Sequence, residues 1–193
     1  MNHFTTSQGN QIAYLIEGEG QWLTSEAARA HALRLRSRVD AILVGAGTVR
    51  QDNPKLTMRD AVTLGKEQPL RVILSRSCDL PESSHIFTDE HKSRTWVLRD
   101  LEFPEVLLEL GKKGVVSVLV EGGSDVLGQA FRHRCVDEVH CYIAPLLCGS
   151  GLMTLGGLPL AESVSLTQVK IMPIGDNVCI TGQAVYATAP SEL

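Results

Sequence analysis

VVSVLVEGGSDVLGQA, residues Val115–Ala130, decides the reading of this chain. Five of the six positions from Val115 to Val120 are apolar and mostly β-branched, which suits a buried strand, and Gly122-Gly123 stops the run abruptly. Ser124 and Asp125 are residues that cap helices, and Val126, Leu127 and Ala130 give the segment after them an apolar face. A strand, two glycines and a helix start together leave several backbone N–H groups free to meet an anion. A glycine-rich strand-to-helix turn also has a purely structural use. Glu121 is the unusual part, because it puts a carboxylate at the lip of the anion site.

Working outward, strand-like and helix-like segments alternate for two thirds of the chain. Gln11–Glu17 reads as a strand and Ser25–Arg38 as a helix rich in Ala and Leu and decorated with four arginines. Ala41–Val44, Leu70–Leu74 and Thr95–Leu98 read as buried strands, Leu101–Lys113 as a helix closed by Gly114, and Asp125–His133 as another helix. Beyond Cys135 the pattern changes: Val139–Ala144, Val164–Met172 and Val178–Ala187 are strands with no helix between them, which suggests antiparallel hairpins finishing the sheet. The expectation is an α/β three-layer domain with a mixed, mostly parallel sheet and antiparallel C-terminal strands. One domain over residues 1–187 and a loose tail over 188–193 complete it.

With 193 residues, 44% of them apolar and 21% charged, the chain has the composition of a soluble globular domain. A net charge of −4 and the lack of a basic stripe argue against nucleic acid or an anionic membrane surface as the main partner. The first residues, MNHFTTSQGNQ, have neither a positive nor an apolar signal region, and no apolar run approaches a bilayer span. The five cysteines are scattered and never spaced C-x-x-C, so they read as reduced thiols of a cytoplasmic protein. The six histidines show no ligand spacing, and the expectation is that no metal is bound. Apolar residues on both faces of the segment Val139–Leu147 exceed what one sheet face requires, which suits burial across a two-fold axis.

Two further strand exits carry polar groups. Gly45-Ala46-Gly47-Thr48 follows Ala41–Val44 directly: Gly45 and Gly47 would let the backbone approach a phosphate, and Thr48 offers a hydroxyl. Arg50 stands where a dinucleotide fingerprint has its third glycine, and a lone G-x-G also serves as a tight turn. The loop Asp52-Asn53-Pro54-Lys55-Leu56-Thr57-Met58-Arg59 brings a hydroxyl acceptor and a phosphate-binding fork, or is simply a solvated surface loop. Ser75-Arg76-Ser77 at the end of Leu70–Leu74 suits a phosphomonoester, though polar strand exits are common. The concurrence of three such exits in one sheet favours a multi-phosphate ligand such as a dinucleotide.

Taken in order, Trp22-Leu23-Thr24, Leu35-Arg36, Ala41–Thr48, Asp52-Asn53-Pro54-x-Leu56-Thr57-x-Arg59, Pro69–Leu74, Leu119–Gly123 and Tyr142–Pro145 resemble one family closely. It is the reductase domain of the bifunctional riboflavin-biosynthesis deaminase/reductase. The resemblance implies a dihydrofolate-reductase-like fold, NADPH as hydride donor and a homodimer. It also implies a 5-amino-6-(5-phosphoribosylamino)uracil-type substrate, whose ribose is reduced to a ribityl chain, and a deaminase domain or protein in the same pathway. By position, Trp22, Thr48 and Asp52 would contact NADPH, and Gly123, Ser124, Asp125, Val126, Leu127, Gly128 and Gln129 would hold its diphosphate. Arg36, Leu56, Arg59 and Glu121 would meet the sugar-phosphate substrate, with Glu121 stabilising positive charge or managing protons at the reacting carbon. Here the chain starts inside the family's first strand, and His3 falls where the family carries a lysine. Gly9, Asn10 and Gly20 also depart from the family pattern. Those departures favour a non-catalytic nucleotide-binding scaffold as the alternative. A dihydrofolate reductase is the other alternative, opposed by Ala27 where that enzyme places its acid.

Overall fold

The structure is a computed structural model that describes residues 6–7, 11–12, 23–58, 66–77, 79–146, 152–153 and 163–187. His3, Gly9, Asn10, Gly20, Trp22, Arg59 and the tail 188–193 lie outside the described residues, as does most of the expected strand Gln11–Glu17. In chain order the elements are β1 (Thr6–Ser7), β2 (Gln11–Ile12), α1 (Glu26–Leu35), which continues into a 3₁₀ turn (Arg36–Arg38), β3 (Ala41–Gly45) and α2 (Ala46–Asp52). There follow β4 (Leu70–Ser75), α3 (His85–Thr88), β5 (Thr95–Arg99), α4 (Phe103–Lys112), β6 (Val118–Gly122) and α5 (Ser124–Arg132). The last are β7 (Glu138–Ile143), β8 (Leu152–Met153), β9 (Val164–Ile174) and β10 (Asn177–Tyr186).

Four parallel strands in the order β5-β4-β3-β6 form the central sheet. Its middle strands are buried on both faces, the reason Ala41–Val44 and Leu70–Leu74 read as unbroken apolar runs rather than alternating ones. On one face Ala41, Leu43, Val72 and Leu74 pack against Phe103, Val106 and Leu110 of α4 and Val126 and Ala130 of α5. On the other, Ile42, Val44 and Ile73 pack against Ala46 and Val49 of α2, Leu56 and Ile86. The antiparallel strands form a separate sheet, β7-β10-β9, instead of finishing the parallel one. Helix α1 lies on that sheet, with Ala28 and Ala32 against Tyr142 and Cys179.

Several boundaries differ from the sequence reading for identifiable reasons. Strand β6 begins at Val118, not Val115, because Asp40 Oδ2 accepts hydrogen bonds from the Val116 and Ser117 amides (3.1 and 3.0 Å) and from the Ser117 hydroxyl (2.8 Å). Those bonds fix Val115–Ser117 as the lead-in to the strand. Helix α4 starts at Phe103, where Glu102 and Glu105 form a reciprocal capping box and Pro104 fills the first turn. Ser124 is the first residue of α5 and does not cap it; Gly123, at φ +86°, is the cap. The largest difference is α2. The glycines suggested a turn and Asp52 a loop, yet Ala46, Thr48 and Val49 are buried against the sheet, which outweighs the roughly 1 kcal/mol helix penalty of Gly47.

Asn177 ties the start of α1 to the antiparallel sheet. Its Oδ1 accepts the Ser25 amide at the start of α1 (2.8 Å), and its Nδ2 donates to the Ile143 carbonyl (3.4 Å). Asn177→Ala is expected to lower the free energy of unfolding by about 1–2 kcal/mol, read from the urea midpoint at unchanged slope.

Candidate functional site

The strand order reverses between β3 and β6: the chain steps from β3 to β4 to β5 in one direction and then places β6 on the opposite side of β3. In open α/β sheets such a switch opens a crevice beyond the carboxyl ends of the two strands, where ligands bind. Both strands end there on glycine, Gly45 and Gly122. A Cβ on Gly45 would lie 3.1 Å from Val126 Cγ2, one on Gly123 3.5 Å from the Gly45 nitrogen, and one on Gly122 3.6 Å from the Thr48 hydroxyl. The glycines therefore let the starts of α2 and α5 sit side by side. Gly45 and Gly123 are the cap residues, and neither helix has a side-chain cap.

In α5 the Leu127 amide bonds to the Gly123 carbonyl at 3.1 Å. The amides of Ser124, Asp125 and Val126, one turn earlier, have no carbonyl of their own helix within reach. Such donors at the start of α5, beside the β3–β6 switch point, suit an anion. The expected diphosphate stretch divides accordingly. Ser124 and Asp125 lie at the rim, whereas the side chains of Val126, Leu127 and Gln129 are buried and Gly128 is covered, so they belong to the packing beneath.

Glu121 sits at an irregularity in β6. Leu43 pairs with Val120, but Val44 pairs with Gly122, which leaves Glu121 as the extra residue of a bulge. Bulges re-aim side chains, and this one serves a buried cation. Arg36 has no exposed side-chain surface. It directs Nε to Glu121 Oε1 and Nη2 to Oε2, both at 2.6 Å, and Nη1 to the Thr57 carbonyl at 2.7 Å. The family resemblance placed Arg36 and Glu121 separately against the sugar-phosphate substrate. The structure instead couples them in a bidentate pair.

Asp52 ends α2, with Oδ2 buried and without a hydrogen-bond partner. Burial pushes its carboxyl above the ordinary value. The segment that follows holds two left-handed residues, Asn53 (φ 41°) and Leu56 (φ 51°), the second a branched residue that is 2% exposed. Such a conformation costs on the order of 1–3 kcal/mol and persists only where surroundings enforce it. Here Asn53 Oδ1 accepts the His85 amide (2.8 Å), Gln68 Oε1 accepts the Met58 amide (2.8 Å), and Thr57 holds Arg36. At the β4 exit, Ser75 is buried and donates its hydroxyl to the Ser77 carbonyl, so Arg76 and Ser77 are the groups exposed to a ligand.

Thus Gly45, Thr48, Gly122, Gly123 and Val126 meet at the switch point, Arg36 and Glu121 meet through the bulge, and Leu56 adjoins the pair through Thr57. The Thr57 carbonyl went unanticipated, since a backbone acceptor leaves no signature in residue type. Among the described residues no group of three or more His, Cys, Asp or Glu side chains could hold a metal ion. No described helix is long and apolar enough to cross a membrane.

Residues 14–180 match the family model of the RibD C-terminal domain. The riboflavin biosynthesis protein RibD of Bacillus amyloliquefaciens is 35% identical over 189 residues, covering 79% of this chain and 50% of the relative. That of Mycobacterium tuberculosis is 41% identical over 146 residues, covering 75% of this chain and 41% of the relative. The chain spans about half the length of these curated relatives. The crystal structure of a diaminohydroxyphosphoribosylaminopyrimidine deaminase/5-amino-6-(5-phosphoribosylamino)uracil reductase from Thermotoga maritima is similar with a TM-score of 0.76 at 25% identity, over 95% of this chain and 55% of that one.

The orphaned oxygen of Asp52 has a measurable consequence in the free protein. Because burial raises its folded value, the contribution of Asp52 to stability is full below the ordinary 3.8 and is lost as pH rises through the folded value. Asp52→Asn should therefore be more stable than wild type near pH 7, with the difference closing towards about pH 3, in thermal or urea unfolding across that range. A wild type more stable than the variant near pH 7 would contradict the burial of an unpartnered carboxylate.

Proposed function

The chain belongs to the RibD C-terminal domain family, and from that premise we propose that it is a riboflavin-precursor reductase. It uses NADPH to reduce the ribosyl group of a 5-amino-6-(5-phosphoribosylamino)uracil-type compound to the ribityl compound. The observation that carries this reading is the crevice between β3 and β6, where two uncapped helix starts lie beside the bulge-held Glu121.

The residues fit a phosphorylated dinucleotide. The first-turn amides of α2 and α5 suit a diphosphate, the buried, unpartnered oxygen of Asp52 suits a hydroxyl donor, and the exposed guanidinium of Arg76 suits a further phosphate. Gly45, Gly47, Thr48 and Gly122–Asp125 form the walls of this half, with Trp22 assigned to it by the family resemblance. When bound, NADPH supplies the hydride. The protein's part is to hold donor and acceptor in contact and to balance charge around them.

The family resemblance assigns Arg36, Leu56, Arg59 and Glu121 to the substrate, with His3, at the family's lysine position, as a further catalytic candidate. Opening a ribosylamine gives a carbon–nitrogen double bond that is cationic when protonated. The carboxylate of Glu121, fixed in direction by Arg36, stabilises that charge. Arg36 acts chiefly by orienting Glu121, because Nε, Nη1 and Nη2 all face protein acceptors. The protein is proposed to work in the cytoplasm as a homodimer built on the apolar strand β7 and the residues after it. A deaminase domain or protein would supply its substrate.

NADPH oxidation in the presence of the ribosylaminopyrimidine phosphate, with mass detection of the ribityl product, tests the proposal. No turnover with either the deaminated or the undeaminated substrate would overturn it. Arg76→Ala should weaken NADPH by about 1–3 kcal/mol while leaving NADH almost unchanged, as cofactor titrations would show. Glu121→Gln should lower turnover by about 10²–10⁴-fold with NADPH affinity near wild type, and an unchanged rate would remove Glu121 from the chemistry.

A further inference from the structure

The contact between His31 and Tyr142 lies on the antiparallel sheet, away from the switch-point strands, yet the backbone joins it to the Arg36–Glu121 pair. His31 Nδ1 is 2.8 Å from the Tyr142 hydroxyl, and the two rings meet edge to face with centroids 5.8 Å apart. Ala28 and Ala32, on the same helix, close over Tyr142 and the fully buried Cys179. Helix α1 then runs without interruption into the turn that begins with Arg36. It is therefore anchored twice, to the antiparallel sheet through His31 and to the parallel sheet through Arg36. The step of five positions from His31 to Arg36 spans about 7.5 Å of helix rise, so a shift at one anchor is transmitted to the other.

The groups around His31 make its charge state matter. Burial, with Cys179 beside it, pushes the Tyr142 hydroxyl up, so that it keeps its proton and can donate it to the imidazole. Burial, then His140, then Arg34 hold His31 below its ordinary value of 6.5. On α1 the nearby charge is Arg34; on β7 the neighbours are Tyr142 and His140, and on β10 Cys179. His140 bonds through Nε2 to Glu138 at 2.8 Å, and its own Nδ1 is buried without a partner. Thr181 and Lys170 complete its cross-strand row. A proton on His31 would convert Nδ1 from acceptor to donor and set a cation beside Arg34.

We propose that His31 is a positioning residue: its bond to Tyr142 holds α1 in the register at which Arg36 meets Glu121, and protonating His31 loosens that pair. Only the consequence for turnover rests on the reductase reading. The undocked helix binds the proton more readily than the docked one, so falling pH favours undocking as it passes 6.5.

Hydrogen–deuterium exchange on the full chain, without substrate or nucleotide, tests this separately from any activity. After correction for intrinsic rates, amides of Arg36–Val39 and Val118–Gly122 should exchange several-fold faster at about pH 5.5 than at about pH 7.5, while Leu70–Ser75 stays protected as a control. In His31→Gln, which keeps an acceptor for Tyr142 but carries no titrating ring, that difference should disappear. In Tyr142→Phe the same two segments should exchange fast at both values. A wild type without the pH difference, an equal difference in His31→Gln, or unchanged exchange in Tyr142→Phe would overturn the proposal.

Discussion

A guanidinium with no solvent contact must be answered in full by the protein, and Arg36 is answered from two directions. Glu121 supplies both carboxylate oxygens and Thr57 a carbonyl, 85 residues downstream and 21 residues downstream respectively. Removing one member of such a pair leaves a buried charge alone, a loss of about 3–5 kcal/mol, so α1, the strand β6 and the segment after α2 are locked to one another. The bulge in β6 follows from the same need. In a regular ladder Glu121 would take its own partner on β3; the extra residue frees it to turn toward Arg36.

The crevice beside that pair is built on the opposite principle, leaving groups unanswered. Gly45 and Gly123 begin helices with no side-chain cap, and Asp52 keeps a buried oxygen without a partner. Each is a loss to the free protein, a few tenths of a kcal/mol for a glycine cap and about 1–3 kcal/mol for a buried unpartnered oxygen. Their clustering at a single strand-order switch distinguishes them from scattered imperfections. A site that must hold a highly charged ligand benefits from donors already in place and not engaged elsewhere.

Much of this architecture was legible in the sequence, and the exceptions share a cause. Ala41–Val44 and Leu70–Leu74 announced themselves because central parallel strands are apolar on both faces. The glycine-ended strand and the helix after it were visible for the same reason that they matter, the need for close backbone approach. By contrast, Val115–Ser117 looked like strand on propensity, and only a carboxylate 77 residues away, Asp40, sets the strand start later. Helix α2 was hidden because burial of Ala46 and Val49 overrides the glycine beside them. The Arg36–Glu121 pair was half legible: both residues stood out, each as a ligand contact, but nothing local shows that two residues so far apart face each other.

The separation of the antiparallel sheet β7-β10-β9 from the parallel one was also illegible, because strand patterning reports burial and not which neighbour provides it. It carries a mechanical meaning. The parallel sheet holds the crevice, the antiparallel sheet holds α1, and the Arg36 turn that ends α1 reaches back to the lip of the crevice. Helix α1, with the Arg36 turn that ends it, is the element that touches both. Asn177 fixes one end of that helix by accepting the Ser25 amide, and Arg36 fixes the other through a fully buried bidentate contact. A helix so constrained at both ends has little freedom except to dock or to release as a unit. The register of Glu121 is thus a property of the whole molecule rather than of the strand that carries it.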